Sequence, residues 1–414
     1  MEGDRDARTD PTRRGYLGGT AALLGGALAG CISGGSSDSD GDQSGGDSDG
    51  ADDSDTGGST DGTDSGSGDG SSDGTEESED SQTDTSYSVS MVPVGEVEFD
   101  GVPETWVANN GSWADMGIAL GIDTPKAVWL TNRYHTQYYD EIPDVSVDKS
   151  DMVSLYDSGV SKELFYELDA DVHVMDPNFL TNRFQGWEQS DVEEIEENIA
   201  PLFGNSIYAS HYPWHDDYRY YSLYEGFEKL AQVFQRTDRY EAFETLHDEF
   251  QANLAPHVPN TSEAPSVGVV WGAGDEPSTF YPYIVGDGTG FKHLRELGVH
   301  DALAESDVRD FHGSRGSIDF ETLLDVDPEV LLLRGQEAKS AEEFQNTVVS
   351  YFEDHDTASE LTAVQNGEVY RAGGLYAGPI TNMVLTERLA SDLYGVEEEL
   401  FDRQRVADIV AGDI

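Results

Sequence analysis

The chain has 414 residues, and 83 aspartate and glutamate residues against 23 lysine and arginine residues give it a formal net charge of −60 at pH 7. This acidic excess argues against nucleic acids or anionic membranes as partners of the folded part, because phosphate binding requires clusters of basic side chains. Cys31 is the only cysteine, so the chain beyond it offers no thiol nucleophile for covalent catalysis.

The first 31 residues have the pattern of an export signal. Arg13 and Arg14 precede an apolar run of small residues and leucine at 17–29, which leads to Cys31. The run is too short and its side chains are too small for an ordinary membrane-spanning helix. Residues 1–31 resemble a twin-arginine-type lipoprotein signal, which implies cleavage before Cys31 and lipidation of its thiol. The alternative is an incidental cysteine in a flexible N-terminus.

The segment at 32–86 consists almost entirely of Gly, Ser, Asp, Thr and Glu, with 17 acidic residues and no lysine or arginine. Its few apolar side chains cannot compensate for the entropy of ordering, and its charge extends it. We predict a disordered acidic tether that holds the folded part at the outer face of the cell membrane. The acidic excess continues beyond the tether, where high salt screens its repulsion. This composition favours an extremely halophilic archaeon as the source.

From residue 87 onward, short apolar runs alternate with helical patterns. The continuous runs are typical of strands buried on both faces of a parallel sheet. Segments 161–174 and 317–331 also contain the same features in the same order: a polar residue, a helical pattern, a turn with aspartate and a buried strand. Such a repeat is expected of two related lobes. The sequence therefore predicts α/β units. The runs of strand length lie at 105–108, 126–130, 171–175, 267–271 and 329–333.

The longest helical stretch separates the first three runs from the last two. Apolar residues recur every three or four positions at 223–234 and 243–254, as on one face of a helix. Asp238 and Glu241 have the spacing of a capping box, which predicts a helix start there. We predict an N-terminal α/β lobe at 87–236, a linking helix at 237–258 and a C-terminal α/β lobe at 259–414, each lobe with a mainly parallel central sheet.

Four segments occur in the order typical of one family. The first two are LDADVHV at 168–174 and VDPEVLL at 326–332. They resemble a family motif in which a leucine and a proline-aspartate pair come just before a buried apolar strand. AVQNGEVY at 363–370 resembles its late turn into a strand, and LASDLY at 389–394 its closing helix. The chain therefore resembles the substrate-binding proteins of ABC importers for iron siderophores and cobalamin. The resemblance implies two α/β lobes joined by one rigid helix, with the ligand between them.

The resemblance also implies partners. They are an ABC permease, its ATPase subunits and a small-molecule metal chelate, and we expect the protein itself to be a monomer. Members of the family carry an exposed acidic residue on each lobe that meets arginines of the permease. Asp115 is the candidate on the first lobe, and Glu296 is the nearest acidic residue on the second, where the family pattern has no clear match.

The loops after the predicted strands concentrate arginine and aromatic residues. Open α/β sheets bind ligands beyond the carboxyl ends of their strands. Arginine offers paired donors to carboxylate, hydroxamate or catecholate oxygens, and aromatic faces offer apolar contact area. The alternative for each arginine is a structural ion pair with a carboxylate. We predict a ligand-binding set of Arg133, Tyr134, His135, Asn178, Arg183, Trp187, His211, Trp214, His215, Tyr218, Arg219, Trp271, Arg315, Arg334 and Tyr376.

Other functions are weaker interpretations of the sequence. His211 and His215 could ligate a metal, but Pro213 disfavours the helical spacing that would align them, and we assign no metal ligands. Common catalytic signatures such as a nucleophile elbow or a P-loop do not occur beyond residue 86, so we expect neither enzymatic activity nor a cofactor. The expected ligand is a ferric siderophore, with cobalamin or haem as alternatives. A surface metallohydrolase or an adhesion lipoprotein on an α/β scaffold is the alternative function.

Overall fold

The computed structural model describes residues 86–156, 159–184, 186–210, 212, 214–215 and 218–414. The predicted signal at 1–31 with Cys31, and the predicted tether except its last residue, lie outside the described residues. His211 of the predicted ligand-binding set also lies outside them. The described part has the predicted α/β fold with mainly parallel sheets.

The first strand group consists of parallel strands in the first part of the chain. β3 (Trp106–Ala108) pairs with β6 (Val172–Val174), where Trp106 lies opposite Val172, and β4 (Ala127–Val128) pairs with β5 (Val153–Ser154). A backbone hydrogen bond of 2.8 Å from Lys126 to Trp106 places β4 beside β3. The described strands are β1 (Tyr87–Met91), β2 (Gly95–Phe99), β3 (Trp106–Ala108), β4 (Ala127–Val128), β5 (Val153–Ser154), β6 (Val172–Val174), β7 (Ser266–Trp271), β8 (Tyr281–Pro282), β9 (His300–Asp301), β10 (Val330–Arg334) and β11 (Val369–Arg371).

The second strand group is a single sheet in the order β11-β10-β7-β8, with β9 also paired to β7. Its strands are parallel except for β8, which is antiparallel to β7 at the edge. All five residues of β10 are buried, as expected for a central strand covered on both faces. Each of the five predicted apolar runs contains or overlaps, to within one residue, one of the strands β3, β4, β6, β7 and β10, so those predictions are confirmed.

Helices cover the sheets, and local caps begin several of them. Ser222 accepts a bond of 3.2 Å from the backbone of Glu225, whose side chain accepts one of 2.8 Å in return, which satisfies two terminal donors. Short 3-10 turns lie at Thr131–Arg133, Thr136–Glu141, Thr289–Phe291 and Ala358–Glu360, and a π-helical turn at Gln345–Val349. The described α-helices are α1 (Gly111–Ala119), α2 (Lys162–Leu168), α3 (Pro177–Arg183), α4 (Gln189–Asn198), α5 (Leu223–Val233), α6 (Thr237–Leu254), α7 (Lys292–Glu296), α8 (Phe311–Ser314), α9 (Phe320–Val326), α10 (Ala341–Phe344), α11 (Ser350–Asp354), α12 (Thr362–Asn366), α13 (Pro379–Tyr394) and α14 (Arg403–Ala411).

Helix α6 lies between the two strand groups in the chain and within the predicted range 237–258. Its apolar side chains are buried, and it contacts α5, α13 and α14. The capping box predicted from Asp238 and Glu241 is wrong, because Arg236 occupies the N-cap and makes no side-chain capping bond. The role of α6 as the link between two lobes stays a prediction. Within the described ranges, no helix is long and apolar enough to cross a membrane.

The two repeated segments of the sequence fold into equivalent helix–turn–strand units. Asp169 ends α2 with φ of 43° and Asp327 ends α9 with φ of 45°, and each leads into a parallel strand. Aspartate tolerates this left-handed conformation better than most residues. The Asp327 carboxylate also accepts bonds of 2.8 Å from the backbone and the hydroxyl of Thr362.

Strands β1 and β2 form an antiparallel hairpin that the sequence analysis did not predict. In β1 the buried Val89 and Met91 alternate with exposed serines, the pattern of a half-buried strand. The hydroxyl of Tyr87 donates to the carbonyl of Val233 at the end of α5. The hairpin therefore covers the first strand group from the side of α5.

Candidate functional site

The loops beyond the two strand groups contact each other. Arg133 follows β4, and its guanidinium lies over the indole of Trp271 at the end of β7, 5.2 Å from the ring centre. His135 in the same loop lies against Gly374 beyond β11, where an added Cβ would come within 2.8 Å of the imidazole. This interface therefore lies at the carboxyl ends of parallel strands, where open α/β sheets bind their ligands.

Aromatic rings from both sides line the interface. Tyr212 stacks on Trp214 with ring centres 4.4 Å apart, and its edge meets His312 of α8 at 5.8 Å. Tyr208 meets Tyr376, beyond β11, edge-on at 5.5 Å. Such rings supply apolar contact area for a large ligand. Tyr208, Tyr212 and His312 were not in the predicted set, although the first two lie in the aromatic loop that contains Trp214.

Arg334, at the end of β10, is 1 % exposed. Its guanidinium lies 4.3 Å from the ring centre of Phe291 and 5.2 Å from that of Tyr283. One terminal nitrogen donates to the carbonyl of Gly290 at 2.5 Å. Burial lowers the pKa of Arg334 to about 10, so the side chain stays charged at neutral pH.

A buried ion network, which the sequence analysis missed, lies beside His135. Glu337, beyond β10, accepts a bond from the Tyr138 hydroxyl and one of 2.7 Å from the backbone of Gly373, and Arg388 lies 3.4 Å away. Burial opposes ionisation of Glu337, but the charge of Arg388, the hydrogen bond from Tyr138 and other nearby positive charges together outweigh it and lower the pKa of the carboxyl. Burial lowers the pKa of His135. The network ties the loop after β4 to the end of β10.

The two predicted permease-docking residues are not accessible, so that prediction is wrong. Asp115 has no exposed surface because α13 covers α1, and its carboxylate accepts bonds from the start of α13. Burial raises its pKa to about 6. Glu296 has an 8 % exposed side chain that pairs with Lys292 and His247. Burial opposes its ionisation, but hydrogen bonds and the charge of Lys292 lower its pKa to about 2.

His215 and Tyr218 belong to a polar cluster on the first strand group. Their rings stack 4.1 Å apart, and His215 Nδ1 lies 2.5 Å from the Tyr220 hydroxyl. The Tyr218 hydroxyl donates to Asp176 at 2.5 Å, and burial raises the pKa of that carboxyl. Tyr218 therefore orients Asp176 at the end of β6. No group of three His, Cys, Asp or Glu side chains able to hold a metal occurs among the described residues.

Three predicted ligand residues are engaged elsewhere. The Tyr134 hydroxyl is bonded to that of Tyr139 at 2.7 Å, and the Trp187 indole donates to the carbonyl of Val160 at 2.9 Å. The side chain of Arg219 is 57 % exposed and lies 3.4 Å from Glu225. A further three residues lie in or beside short helices next to strand ends and are only partly buried, namely Asn178, Arg183 and Arg315.

Residues 110–374 match the model of a family described as periplasmic binding protein. A periplasmic binding protein from Veillonella parvula has a similar fold, with 14 % sequence identity, a TM-score of 0.52, and coverage of 76 % of this chain and 99 % of that chain. A periplasmic solute-binding protein from Mycobacterium smegmatis is similar at 17 % identity and a TM-score of 0.51, and the match covers 76 % of this chain and 99 % of that chain. A petrobactin-binding protein from Bacillus subtilis is similar at 16 % identity, covering 76 % of this chain and 99 % of that chain with a TM-score of 0.50. No curated protein sequence matches the chain.

Proposed function

The chain belongs to the periplasmic binding protein family, and we propose that it captures a ferric siderophore or a similar metal chelate for an ABC importer. In this proposal the chelate lies between two α/β lobes and passes to a permease with its ATPase subunits. Capture requires reversible binding, with closure favoured by the differential affinity of the chelate for the closed state. It requires no chemical conversion.

The contact between Arg133 and Trp271 carries the proposal. It brings a cation and an aromatic face from different strand groups together at the carboxyl ends of parallel strands. A guanidinium offers paired donors to the oxygens of a chelate, and an indole offers a large apolar face to its organic part. Arg133 is only 7 % exposed, so a bound chelate meets this charge away from solvent.

The description of one fold neighbour as a petrobactin-binding protein supports an iron chelate as the ligand class. Aromatic rings such as Tyr212 and Trp214 suit an organic chelator. Cobalamin and haem would use the same residue types, so they stay in the panel of ligands to be tested.

We also propose the location of the protein from its N-terminal sequence. The signal at 1–31 exports the chain, a lipid on Cys31 anchors it outside the cytoplasm, and the tether at 32–86 separates the folded part from the membrane. The folded part divides into lobes at 87–236 and 259–414, joined by the helix at 237–258. The acidic composition supports a halophilic archaeal source.

The test is a titration of the purified protein in molar potassium chloride with ferric siderophores, haem and cobalamin, followed by tryptophan fluorescence. We expect saturable binding of a ferric chelate, because Trp214 and Trp271 lie at the interface. Arg133→Gln should weaken binding about tenfold or more, since a desolvated cation–π contact and a charge are lost. Arg236→Gln, at an exposed position before α6, should bind normally. A panel without any response, also by calorimetry, contradicts the proposal.

A further inference from the structure

The chain contains the acceptor sequence of N-glycosylation at two positions. This sequence is asparagine, any residue except proline, and then serine or threonine. The two occurrences are Asn110-Gly111-Ser112 and Asn260-Thr261-Ser262, and no other asparagine in the sequence has serine or threonine two positions later. A sugar can be transferred only to an amide that a glycosyltransferase reaches, so the fold distinguishes the two occurrences.

The first acceptor sequence is buried. Asn110 is 1 % exposed and Ser112 is 0 % exposed. Asn110 is the N-cap of α1, and its side-chain oxygen accepts a bond of 2.9 Å from the backbone of Ser112. Its amide nitrogen donates to Asn109 at 2.8 Å, and the Ser112 hydroxyl is bonded to that of Thr289 at 2.9 Å. The folded chain therefore withholds this amide from modification.

The second acceptor sequence lies on an exposed turn between α6 and β7. Asn260, Thr261 and Ser262 are all exposed. A backbone hydrogen bond of 2.8 Å from Glu263 to the Asn260 carbonyl closes these four residues into a β-turn. The Asn260 amide donates to the Glu263 carboxylate at 3.2 Å, and at the surface such a bond exchanges for one to water at little cost. The amide nitrogen and the hydroxyl are thus both accessible.

The turn lies at the amino ends of the parallel strands, away from the proposed ligand site. The Thr261 carbonyl accepts a hydrogen bond from the His300 imidazole, and His300 in β9 pairs with Ser266, the first residue of β7. Trp271, at the proposed ligand site, is the last residue of that strand. The ends of a strand of six residues are about 17 Å apart. A sugar on Asn260 therefore leaves the ligand site open.

We propose that Asn260 carries an N-linked sugar and that Asn110 does not. This inference rests on the proposed location of the protein, because the exposed turn meets a glycosyl donor outside the cytoplasm. The twin-arginine-type signal at 1–31 implies export of the folded chain, which presents Asn260 and conceals Asn110. Asparagine is also common in turns for conformational reasons, and the variants below separate that role from modification.

The transfer requires a glycosyl phosphate donor carried on a membrane lipid. The amide nitrogen of Asn260 forms a bond to the anomeric carbon of the sugar, and the bond between that carbon and a phosphate oxygen of the donor breaks. The phosphate leaves with the electron pair of the broken bond, and the amide nitrogen loses one proton. Nothing is oxidised or reduced.

The test is mass spectrometry of peptides from the protein purified from the membranes of its own organism. We expect the peptide with Asn260 to carry sugar residues in most molecules and the peptide with Asn110 to carry none. Ser262→Ala keeps Asn260 but removes the required hydroxyl residue, so it should abolish the modification. Thr261→Ala is the matched control, because it alters the same turn and keeps the acceptor sequence, and it should stay modified.

An unmodified Asn260 in protein recovered from the outer face of the membrane overturns the inference and leaves the proposed function intact. A sugar on Asn110, or a modification that persists in Ser262→Ala, also overturns it. The masses of the unaltered protein decide the question even if a variant does not fold. Protein found only in the cytoplasm contradicts the proposed location and this inference with it, whereas chelate capture is judged separately by the titration above.

Discussion

Replacement of Asp115 tests the contact between α1 and the start of α13. Its carboxylate accepts four hydrogen bonds: 2.7 Å from the Tyr139 hydroxyl, 3.1 Å from the backbones of Ile380 and Thr381, and 3.0 Å from the Thr381 hydroxyl. It therefore caps a helix whose second residue, Ile380, lies 265 residues later in the chain. We expect its removal to separate elements that lie on the two sides of the proposed site.

The structure allows the cost to be estimated. Asp115→Ala leaves four buried donors without their acceptor, at about 1–3 kcal/mol each when isolated, and removes a cap worth about 0.5–2 kcal/mol. These contributions are not additive, so we expect Asp115→Ala to lower the free energy of unfolding by about 3–5 kcal/mol. Asp115→Asn should cost only about 1 kcal/mol, because its oxygen can accept the bonds of α13. Its amide can donate to Tyr139, whose hydroxyl also has Tyr134 as a partner.

The two variants also differ from the unaltered protein in pH dependence. Burial raises the pKa of Asp115 from 3.8 to about 6, so the folded protein binds this proton more tightly than the unfolded chain. The contribution to stability is therefore largest below pH 3.8 and falls by about 3 kcal/mol in total as the pH rises through and above 6. Because asparagine does not titrate, Asp115→Asn lacks this change.

The assay is urea denaturation followed by tryptophan fluorescence, for the three proteins at pH 4 to 7 in constant high salt. Other carboxylates titrate equally in all three proteins and cancel in the differences. The unaltered protein should gain about 2 kcal/mol on Asp115→Asn between pH 6 and pH 4. A difference that does not change with pH, or an Asp115→Ala variant within about 1 kcal/mol of the unaltered protein, would refute the reasoning.

Three further substitutions have expected results. Asp169→Gly should raise stability by about 0.5–1 kcal/mol in thermal unfolding, because glycine relieves the left-handed turn. Asp327→Gly should not raise stability, because it also loses the two hydrogen bonds to Thr362. Equal gains in stability for the two variants would argue against this explanation. Glu296→Gln should cost about 3 kcal/mol at pH 7, because the hydrogen bond from His247 and the charge of Lys292 hold the Glu296 pKa at about 2. The difference in stability between Glu296→Gln and the unaltered protein should shrink as the pH falls below 4.5. If urea denaturation gives the same difference at every pH, the lowered pKa of Glu296 is refuted.

Local patterns predicted the regular elements because burial of a strand or helix face follows from the spacing of neighbouring residues. The run at 329–333 lies within one residue of β10, and the repeated turn at Asp169 and Asp327 was visible in the sequence. The hairpin of β1 and β2 was missed because short strands with alternating serines give only a weak apolar signal. Asp238 and Glu241 had the spacing of a capping box, but the N-cap of the helix is Arg236, two residues before Asp238.

The site was harder to predict than the fold. Arg219 and Arg334 both follow apolar or aromatic segments, yet one is largely exposed and the other is 1 % exposed. Glu337 and Arg388 meet only because folding brings the segment after β10 to α13, and nothing in their local sequence indicates a buried ion pair. Pairing and burial of charges therefore depend on contacts between distant segments.

The sequence by itself determined the acidic charge, the alternation of strands and helices, and the family to which the order of these elements belongs. These properties depend on composition and on spacing along the chain. Only the tertiary structure decided that Asp115 caps a distant helix and that the side chain of Arg334 is buried. The physical reason is that the dielectric environment of a charged group, and the partners within hydrogen-bonding reach, are set by which surfaces fold against each other.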